Sequence, residues 1–234
     1  MMFSEILSKY VNLREEQLNQ FQKFYELVID WNTKINLTAI TDEKEFAIKH
    51  VMDSLTLWDE EKFSGVKKIL DVGTGAGFPA IPIKIFKPNA EIFLLDSLAK
   101  RVEFLKKVAA ELNLQKVTCI HGRAEDLARE NNFRESFDLV TARAVARLNI
   151  ISEYCLPFVK IGGTFAALKG KQFLEEVAEV ENAVKILGGG KIICAEKTLP
   201  EIPDTRAVIY IEKKKSTPKK FPRKAGTPSK NPLL

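Results

Sequence analysis

The sequence predicts an α/β protein with a mostly parallel central sheet and a helical extension before it. From residue 66 onward, short runs rich in β-branched and aromatic residues alternate with helical segments. This alternation is typical of parallel strands between two layers of helices. Two further runs follow, joined by a link too short for a helical crossover, so they predict an antiparallel pair. A chain of 234 residues can bury a core of this kind without disulfides.

Each predicted element follows from its local pattern. Residues 4 to 30 have apolar side chains at the i, i+3, i+4, i+7 spacing of amphipathic helices. The predicted strands are KKILDV (67–72), EIFLLD (91–96), KVTCIH (116–121), FDLVTA (137–142), GTFAALK (163–169), KIICAEKTL (191–199) and RAVIYIEKK (206–214). The helices between them are expected over 79–86, 98–112, 125–130, 148–158 and a segment that glycines 188–190 end. We therefore expect a helical extension over 1–60, an α/β domain over 61–213 and a basic tail over 214–234.

The positive charge lies almost entirely in the tail. Residues 212 to 234 contain eight Lys or Arg and one Glu, a net charge of +7, whereas the other 211 residues carry 28 bases and 30 acids, a net charge of −2. This distribution favours a polyanionic partner for the tail. The N-terminus lacks a signal-peptide pattern, and no apolar run could span a bilayer. The sequence thus predicts a cytoplasmic protein without membrane attachment.

The three cysteines predict neither a disulfide framework nor a metal site. Cys119, Cys155 and Cys194 are odd in number and lack Cys-x-x-Cys or Cys/His spacing. We expect them to be small buried hydrophobic residues and expect no bound metal.

A glycine-rich loop, ILDVGTGAGFPAIP (69–82), directly follows the first predicted strand. It is not a dinucleotide-binding fingerprint, because Phe78 occupies the place of the third glycine. It is not a Walker loop either, because no Gly-Lys-Ser/Thr follows. The acid-apolar-Gly-x-Gly-x-Gly pattern resembles motif I of the Rossmann-like class I S-adenosylmethionine-dependent methyltransferases. The predicted sheet of five parallel strands followed by a hairpin resembles theirs as well. The alternative is that the glycines make a tight turn only.

This resemblance assigns a set of residues to S-adenosylmethionine. Asp96 lies 19 residues after Gly77, at the distance expected for a carboxylate that binds two ribose hydroxyls, although it could instead cap the next helix. After the third strand, GRAEDL offers backbone and side-chain contacts to adenine. The expected cofactor-binding residues are Asp71, Gly73, Gly75, Gly77, Phe78, Asp96, Ser97, Ala124, Glu125 and Arg143.

The methyl acceptor can be narrowed by elimination. The segment after the fourth strand, VTARAVARL, lacks the Asn/Asp-Pro-Pro-aromatic motif used for exocyclic amines, and Cys155 falls within a predicted helix, poorly placed as a nucleophile. Among the remaining acceptors is guanine N7, which has no proton to lose and so needs no general base. Arg143 is expected in the catalytic site, contacting cofactor or substrate, with a structural ion pair as the alternative. Arg147 is expected to contact RNA. Lys169, at the end of the fifth strand, is a weaker site candidate, and the alternative is that it is simply solvated.

Nearly the whole chain resembles the bacterial small-subunit rRNA guanine-N7 methyltransferases, also called glucose-inhibited division protein B. The matching segments are WNTKINLTAI (31–40), HVMDSL (50–55), ILDVGTGAGFPAIPIKI (69–85), LLDSLAKRVEFL (94–105), RAED (123–126), TARAVARL (141–148) and KKFPRKAGTPSK (219–230). The resemblance implies methylation of N7 of one guanine in the 530 loop of 16S rRNA. It implies 16S rRNA, the small ribosomal subunit or an assembly intermediate as partner, and we expect a monomer.

The tail is expected to contact RNA in an extended form. Its basic residues would follow a phosphate backbone while Phe221 stacks on a base, and the alternative is a disordered, solubilising terminus. The expected RNA-binding residues are Arg147, Lys219, Lys220, Arg223, Lys224 and Lys230. His50 is expected to be a structural partner, for instance of Asp53, and His121 is expected to be structural as well.

Two other function classes stay open on the sequence alone. One is a methyltransferase of a small molecule or a protein, which would not need the basic tail. The other is a binding protein that keeps the cofactor and RNA sites without catalysis.

Overall fold

The computed structural model contains a seven-stranded sheet in the order β3-β2-β1-β4-β5-β7-β6. It describes residues 3 to 233 apart from the side chain of residue 204, so residues 1, 2 and 234 of the predicted extension and tail lie outside the described part. Strands β1 to β5 are parallel, and β7 runs antiparallel to both β5 and β6. The strands are β1 (Lys68–Val72), β2 (Glu91–Asp96), β3 (Val117–His121), β4 (Phe137–Arg143), β5 (Val159–Lys169), β6 (Gly189–Leu199) and β7 (Ile202–Lys213). The predicted fold class is confirmed.

Helices cover both faces of this sheet. The α-helices are α1 (Phe3–Leu7), α2 (Glu15–Asn32), α3 (Glu43–Phe46), α4 (Asp53–Leu55), α5 (Glu60–Phe63), α6 (Ala80–Phe86), α7 (Ala99–Glu111), α8 (Ala124–Leu127), α9 (Leu148–Cys155), α10 (Phe173–Ile186) and α11 (Thr227–Lys230). A π-helix, Ala47–Met52, joins α3 to α4, and a 3-10 turn, Leu156–Phe158, follows α9.

The central strands divide their side chains between two cores. Along β1, Ile69 belongs to the core under the N-terminal helices, α6 and α7, while its neighbour Leu70 belongs to the core under α8, α9 and α10. Successive residues of a strand point to opposite faces, so a strand covered on both sides needs a continuous apolar run. This explains why the sequence of β1 is apolar except at Asp71, and it makes that buried carboxylate conspicuous.

The helical extension is anchored by an aromatic cluster. Phe46 makes edge-on contacts with Phe3, Phe24 and Phe78, and the distances between ring centroids are 5.6 to 6.4 Å. Such edge-to-face contacts add to the stabilisation from burial. Because Phe78 belongs to the glycine-rich loop, the extension packs directly against the loop that follows β1.

The switch in strand order falls between β1 and β4. β2 and β3 lie on one side of this point and β5 on the other. In open α/β sheets, a crevice forms outside the carboxyl ends of the strands at this position, and ligands bind there. The loops that begin at Gly73 and Ala144 therefore border the expected binding site.

The tail is folded back on the domain, so the prediction of an extended tail is wrong for the described residues. Phe221 is buried in the core beside α8 and α9, and Arg134 donates to the carbonyl oxygens of Phe221 and Thr217 at 3.0 and 2.7 Å. The buried Lys213 holds the start of the tail through a 2.6 Å hydrogen bond to Oγ1 of Thr217. Phe221 therefore stabilises the tail and is not positioned to stack on a base.

None of the helices among residues 3 to 233 has the length and apolar character of a membrane-crossing segment. Of the three cysteines, Cys155 is buried, Cys119 is partly exposed and Cys194 is exposed on β6. The expectation of three buried cysteines was right for Cys155 only.

Candidate functional site

The glycine-rich loop leaves β1 with backbone angles that favour glycine. Gly75 has φ +60°, and a Cβ placed there would meet no atom within 4 Å, so its outer side faces open space. Gly77 has φ +97°, and a Cβ there would lie 2.5 Å from Cγ1 of Ile81 in α6. Gly77 thus allows close packing inside the protein, whereas Gly75 keeps a stretch of backbone accessible to a ligand.

Asp96 ties the end of β2 to this loop. Its Oδ2 accepts a 2.9 Å hydrogen bond from the backbone N–H of Gly75, and its Oδ1 accepts one of 2.9 Å from Leu98 at the start of α7. The predicted alternative, a role at the beginning of the next helix, is therefore one of its functions. Nη1 of Arg101 in α7 also lies 3.7 Å from Oδ2 as an ion-pair partner. Because a carboxylate has about four acceptor positions, positions remain for a ligand's hydroxyls.

A small cavity of about 120 Å³ opens beside Asp96. We call it the Asp96 cavity. It is lined by Val72, Gly73, Leu95, Asp96, Ser97, Gly122, Arg123, Ala124, Glu125, Val145 and Tyr154. Of the predicted cofactor-binding residues, the structure brings together Gly73, Asp96, Ser97, Ala124 and Glu125 around this cavity.

The loop also contains buried polar atoms without a partner. Oδ1 of Asp71 accepts a 2.6 Å hydrogen bond from the Thr141 hydroxyl, but Oδ2 has no hydrogen bond among the described residues, and neither does the hydroxyl of Thr74. Burial raises the pKa of Asp71 to about 7, although the nearby hydroxyls of Thr141 and Thr74 both lower it. An unsatisfied buried carboxylate oxygen is costly, and a bound cation would relieve that cost.

Arg143, at the end of β4, is held from three sides by the N-terminal extension. Its Nη1 donates to the carbonyl oxygen of Lys49 at 3.0 Å and to Oδ2 of Asp53 at 3.1 Å, and its Nη2 contacts Nδ1 of His50 at 2.9 Å. The guanidinium also lies 4.7 Å from the ring centroid of Phe78. The structural ion pair foreseen as an alternative is present.

His50 has different partners from the one predicted. Its ring nitrogens contact Oγ1 of Thr38, at 2.6 Å, and the guanidinium of Arg143. Asp53 does not contact His50 in this way, but it accepts a hydrogen bond from the same guanidinium. Burial lowers the pKa of His50 to about 3, with the Arg143 charge acting in the same direction. The imidazole is therefore neutral at physiological pH.

A larger cleft of about 480 Å³ is lined by the loop that follows Arg143, residues 144–147. We call it the Arg143 cleft. Its lining includes five basic and two acidic side chains, namely Lys49, Arg143, Arg147, Lys169, Arg206, Asp53 and Glu176. The volume falls within the roughly 300–1,000 Å³ typical of ligand sites. The excess of cations gives the cleft a positive potential that suits an anionic ligand.

Two of the predicted cations are already paired. Lys169 lines the Arg143 cleft, is mostly buried and donates to Glu176 and to the carbonyl oxygen of Ala146, each at 2.7 Å, so the alternative of a solvated lysine is wrong. Arg147 is exposed at the start of α9 and forms a 2.6 Å ion pair with Glu179. Exposed pairs of this kind are weak, so Arg147 can exchange Glu179 for a phosphate.

Val145 separates the two spaces, because it lines both the Asp96 cavity and the Arg143 cleft. A Cβ on Gly73 would lie 2.8 Å from Cγ2 of Val145, so the two loops are in close contact. The preceding residue, Ala144, has φ +54°, an uncommon conformation for a residue with a side chain. The two spaces therefore adjoin at Val145.

The remaining predicted site residues line neither of these spaces, and they include Asp71, Gly75 and Gly77 of the glycine-rich loop. Phe78 does not line either cavity, and its ring stacks on His50 at 4.5 Å, so only its backbone is left for a ligand. Arg223 is partly buried and forms an ion pair with the fully buried Glu153, while Lys219, Lys220, Lys224 and Lys230 are exposed. Among the described residues, no group of three or more His, Cys, Asp or Glu side chains is arranged to hold a metal ion.

Sequence reasoning missed several residues of the site. The residues that were not singled out are Thr38, Lys49, Val145, Tyr154 and Arg206. Thr38 and Val145 nevertheless belong to the family-like segments 31–40 and 141–148. Only Val145, inside the loop after β4, had a local signal, because that position borders the carboxyl edge of the sheet. The others come from distant parts of the chain.

The topology, the glycine-rich loop and the acidic end of β2 together define a Rossmann-like class I S-adenosylmethionine-dependent methyltransferase fold. Two solved structures share it. One is the O-methyltransferase from Bacillus cereus in complex with SAH, with a TM-score of 0.60 and 15% identity, covering 89% of this chain and 96% of that one. The other is a putative sarcosine dimethylglycine methyltransferase from Galdieria sulphuraria, with a TM-score of 0.55 and 13% identity, covering 74% of this chain and 88% of that one.

Within this class, the chain belongs to the rRNA small subunit methyltransferase G family, whose model matches residues 17–199. Ribosomal RNA small subunit methyltransferase G of Lactobacillus johnsonii is 49% identical over 234 residues, covering 99% of this chain and 98% of the relative. The protein of the same name in Macrococcus caseolyticus is 52% identical over 226 residues, covering 97% and 94%. The family resemblance that the sequence motifs predict is confirmed.

Proposed function

We propose that this protein transfers a methyl group from S-adenosylmethionine to N7 of a guanine in the 530 loop of 16S rRNA. The observation that carries this proposal is the arrangement at the switch point of the sheet. There, the Asp96 cavity and the basic Arg143 cleft meet at Val145. The names of the close relatives support small-subunit rRNA as the substrate.

The residues around the Asp96 cavity fit the cofactor. Asp96 would accept hydrogen bonds from the ribose hydroxyls while it keeps the Gly75 backbone in place. Glu125 and the backbone of Ala124 would contact the adenine edge. Asp71 does not line the cavity and is fully buried at the end of β1, and from there its charge would attract the positive charges of the methionine end.

When bound, S-adenosylmethionine supplies a methyl group on a positively charged sulfur. Transfer would be an in-line displacement, in which the lone pair of guanine N7 takes up the methyl group and the electrons of the broken bond leave with the sulfur. The positive charge would pass to the purine, and no proton would be released. The protein therefore has to align the two reactants and exclude water rather than supply a base.

The titratable groups of the Arg143 cleft agree with an acceptor that loses no proton. Nδ1 of His50 is occupied by Arg143, and its pKa of about 3 makes it a poor base. Asp53 is paired with Arg143, and Glu176 with Lys169. Arg143 is thereby held at the carboxyl end of β4, where it would contact the cofactor, the guanine or a phosphate.

RNA would be held by the cations around the cleft and on the tail. Arg147 and the exposed lysines 219, 220, 224 and 230 supply charges for phosphates, and counterion release makes such contacts favourable at moderate salt. Arg223 is omitted from this footprint, because its guanidinium is committed to Glu153. We place the protein in the cytoplasm and expect it to act as a monomer.

A labelling experiment tests the substrate class. The purified protein is incubated with S-adenosylmethionine that carries a tritiated methyl group and with an extract of cells lacking the enzyme. Label in small-subunit rRNA supports the proposal. Label confined to protein or to small molecules would identify a different methyltransferase, and bound cofactor without any transfer would indicate a binding protein.

A further inference from the structure

The last part of the tail is docked on the helices that wall the Asp96 cavity. Arg223 donates from Nη2 and Nε to the carboxylate of Glu153 in α9, at 2.6 to 3.1 Å, and its backbone N–H donates to the same carboxylate at 2.7 Å. Glu153 is fully buried. A buried carboxylate needs its partner, because removal of one ion of such a pair leaves the other uncompensated.

A second attachment reaches the cavity itself. The backbone N–H of Gly226 donates a 3.0 Å hydrogen bond to Oε1 of Glu125, a residue that lines the Asp96 cavity. Gly226 has φ +82°, and this left-handed turn directs the chain into α11. The Glu125 carboxylate therefore lies between the tail on one side and the cavity on the other.

A third attachment involves α11, which packs on α9. α9 contributes Tyr154 to the wall of the cavity. Burial and the nearby Glu125 charge raise the pKa of Tyr154. The C-terminal turn thus supports the helix that carries Tyr154.

The same segment exposes cations to solvent. Lys224 and Lys230 are exposed on either side of the Gly226 turn. Upstream, the buried ring of Phe221 and its hydrogen bond from Arg134 fix the start of the segment. Residues 223–230 therefore include two of the lysines expected to bind RNA. They also contact Glu125 and the helix that carries Tyr154, two residues that line the Asp96 cavity.

We propose that residues 223–230 position the cofactor cavity. In this assignment Arg223 and Gly226 are positioning residues that hold Glu125 and Tyr154 in place for the adenine of the cofactor, so that the basic tail acts in cofactor binding as well as in RNA binding. The assignment rests on the proposed function, since it requires that the Asp96 cavity binds the adenosine part of the cofactor.

The test uses two variants of the full-length protein with the product S-adenosylhomocysteine as the probe, in the absence of RNA. The docking variant Glu153→Gln/Arg223→Gln removes both charges together, so that neither is left buried and unpaired. The matched variant Lys219→Gln/Lys220→Gln/Lys224→Gln/Lys230→Gln removes exposed charges of the tail and leaves the docking contacts unchanged. Calorimetry gives the dissociation constant, and thermal unfolding reports whether each variant is folded.

We expect the docking variant to bind S-adenosylhomocysteine at least tenfold more weakly and the lysine variant to bind it within twofold of the wild type. A further readout is selectivity for the 6-amino group. The wild type should prefer S-adenosylhomocysteine to its inosine counterpart, and the docking variant should lose this preference because Glu125 is no longer held.

Equal affinity and equal selectivity in wild type and docking variant would overturn the assignment while leaving the proposed function intact. A comparable loss in the lysine variant would also overturn it, because charge rather than docking would then be responsible. If the wild type itself does not bind S-adenosylhomocysteine, the proposed function fails first, and this outcome is distinct from both of the others.

Discussion

Nη2 of Arg143 donates a 2.9 Å hydrogen bond to Nδ1 of His50. Because arginine has no acceptor, Nδ1 must be the unprotonated ring nitrogen, and Nε2 must donate its proton to Oγ1 of Thr38, 2.6 Å away. Asn32 holds the loop before Thr38 by accepting from the backbone N–H groups of Leu37 and Thr38. The N-terminal extension thus fixes both the tautomer of His50 and the orientation of Arg143.

This contact predicts an acid-sensitive fold. His50 is neutral in the folded protein down to pH of about 3, whereas in the unfolded chain it takes up a proton near its ordinary pKa of 6.5. The free energy of unfolding should therefore be unaffected by His50 above pH 6.5 and should fall with acidification below it, by up to about 1.4 kcal/mol per pH unit. Urea unfolding between pH 7.5 and 5 measures this slope.

The chain offers a matched control for this experiment, because its second histidine, His121, is exposed. His50→Gln should reduce the slope between pH 6.5 and 5, and His121→Gln should retain the wild-type slope. Equal slopes in wild type and His50→Gln would show that His50 is not buried in its neutral form.

A second prediction concerns the pH dependence of cofactor binding. Burial raises the pKa of Asp71 to about 7, so the group is about half protonated at neutral pH in the free protein. A cationic cofactor favours the ionised form, and its affinity should rise roughly tenfold between pH 6 and 8 as the proton no longer competes. Calorimetry with S-adenosylmethionine measures the affinity. Asp71→Asn, which keeps the shape and the partner Thr141, should give weaker binding with no such rise, and an unchanged rise would exclude Asp71.

The third prediction tests the glycine-rich loop. Gly75→Val adds a side chain in space that the protein leaves open and that the bound cofactor would occupy. A clash between the valine and the cofactor should cost about 1–3 kcal/mol, or roughly ten- to a hundredfold in affinity. Gly162→Val is the matched control, because Gly162 also has positive φ and open space around its Cβ position but lies at the far end of β5. Both variants should lose some stability, and only Gly75→Val should lose S-adenosylhomocysteine binding. Full affinity in Gly75→Val would refute the loop assignment.

The fourth prediction concerns RNA binding by the tail. Replacement of Lys219, Lys220, Lys224 and Lys230 by Gln should weaken binding of a 16S rRNA transcript. It should also lower the slope of log affinity against log salt by up to about 3, at about 0.7 per phosphate contact on single-stranded RNA. Lys23, Lys34, Lys106 and Lys107, exposed on α2, α7 and the turn after α2, provide a variant with the same charge change. An equal loss of slope in both variants would indicate a non-specific effect of net charge.

Much of the fold could be predicted from the sequence, because its signals are local. The strand–helix alternation, the glycine-rich loop and the acidic residue that ends β2 each extend over a few residues, and topology rules do the rest. The short link between the last two strands predicted their antiparallel pairing, and the structure has Leu199 paired with Ile202.

The site was less predictable wherever it depends on contacts between distant residues. Thr38, His50 and Arg143 are brought together across about a hundred residues, and no periodicity in the chain indicates such a contact. The tail was predicted to be extended because Pro, Lys and Gly are common in it. Its docking depends on one buried carboxylate, Glu153, and one buried ring, Phe221, whose partners cannot be identified from composition.

The most direct test of the proposed reaction is chemical mapping of 7-methylguanine. Small-subunit RNA from cells lacking the enzyme is incubated with the purified protein and S-adenosylmethionine, reduced with borohydride, cleaved with aniline and read by primer extension. We predict a single new cleavage at a guanine of the 530 loop, absent when the cofactor is omitted. Methyl transfer to the RNA without any cleavage, or with cleavage elsewhere, would contradict guanine N7 in this loop as the acceptor.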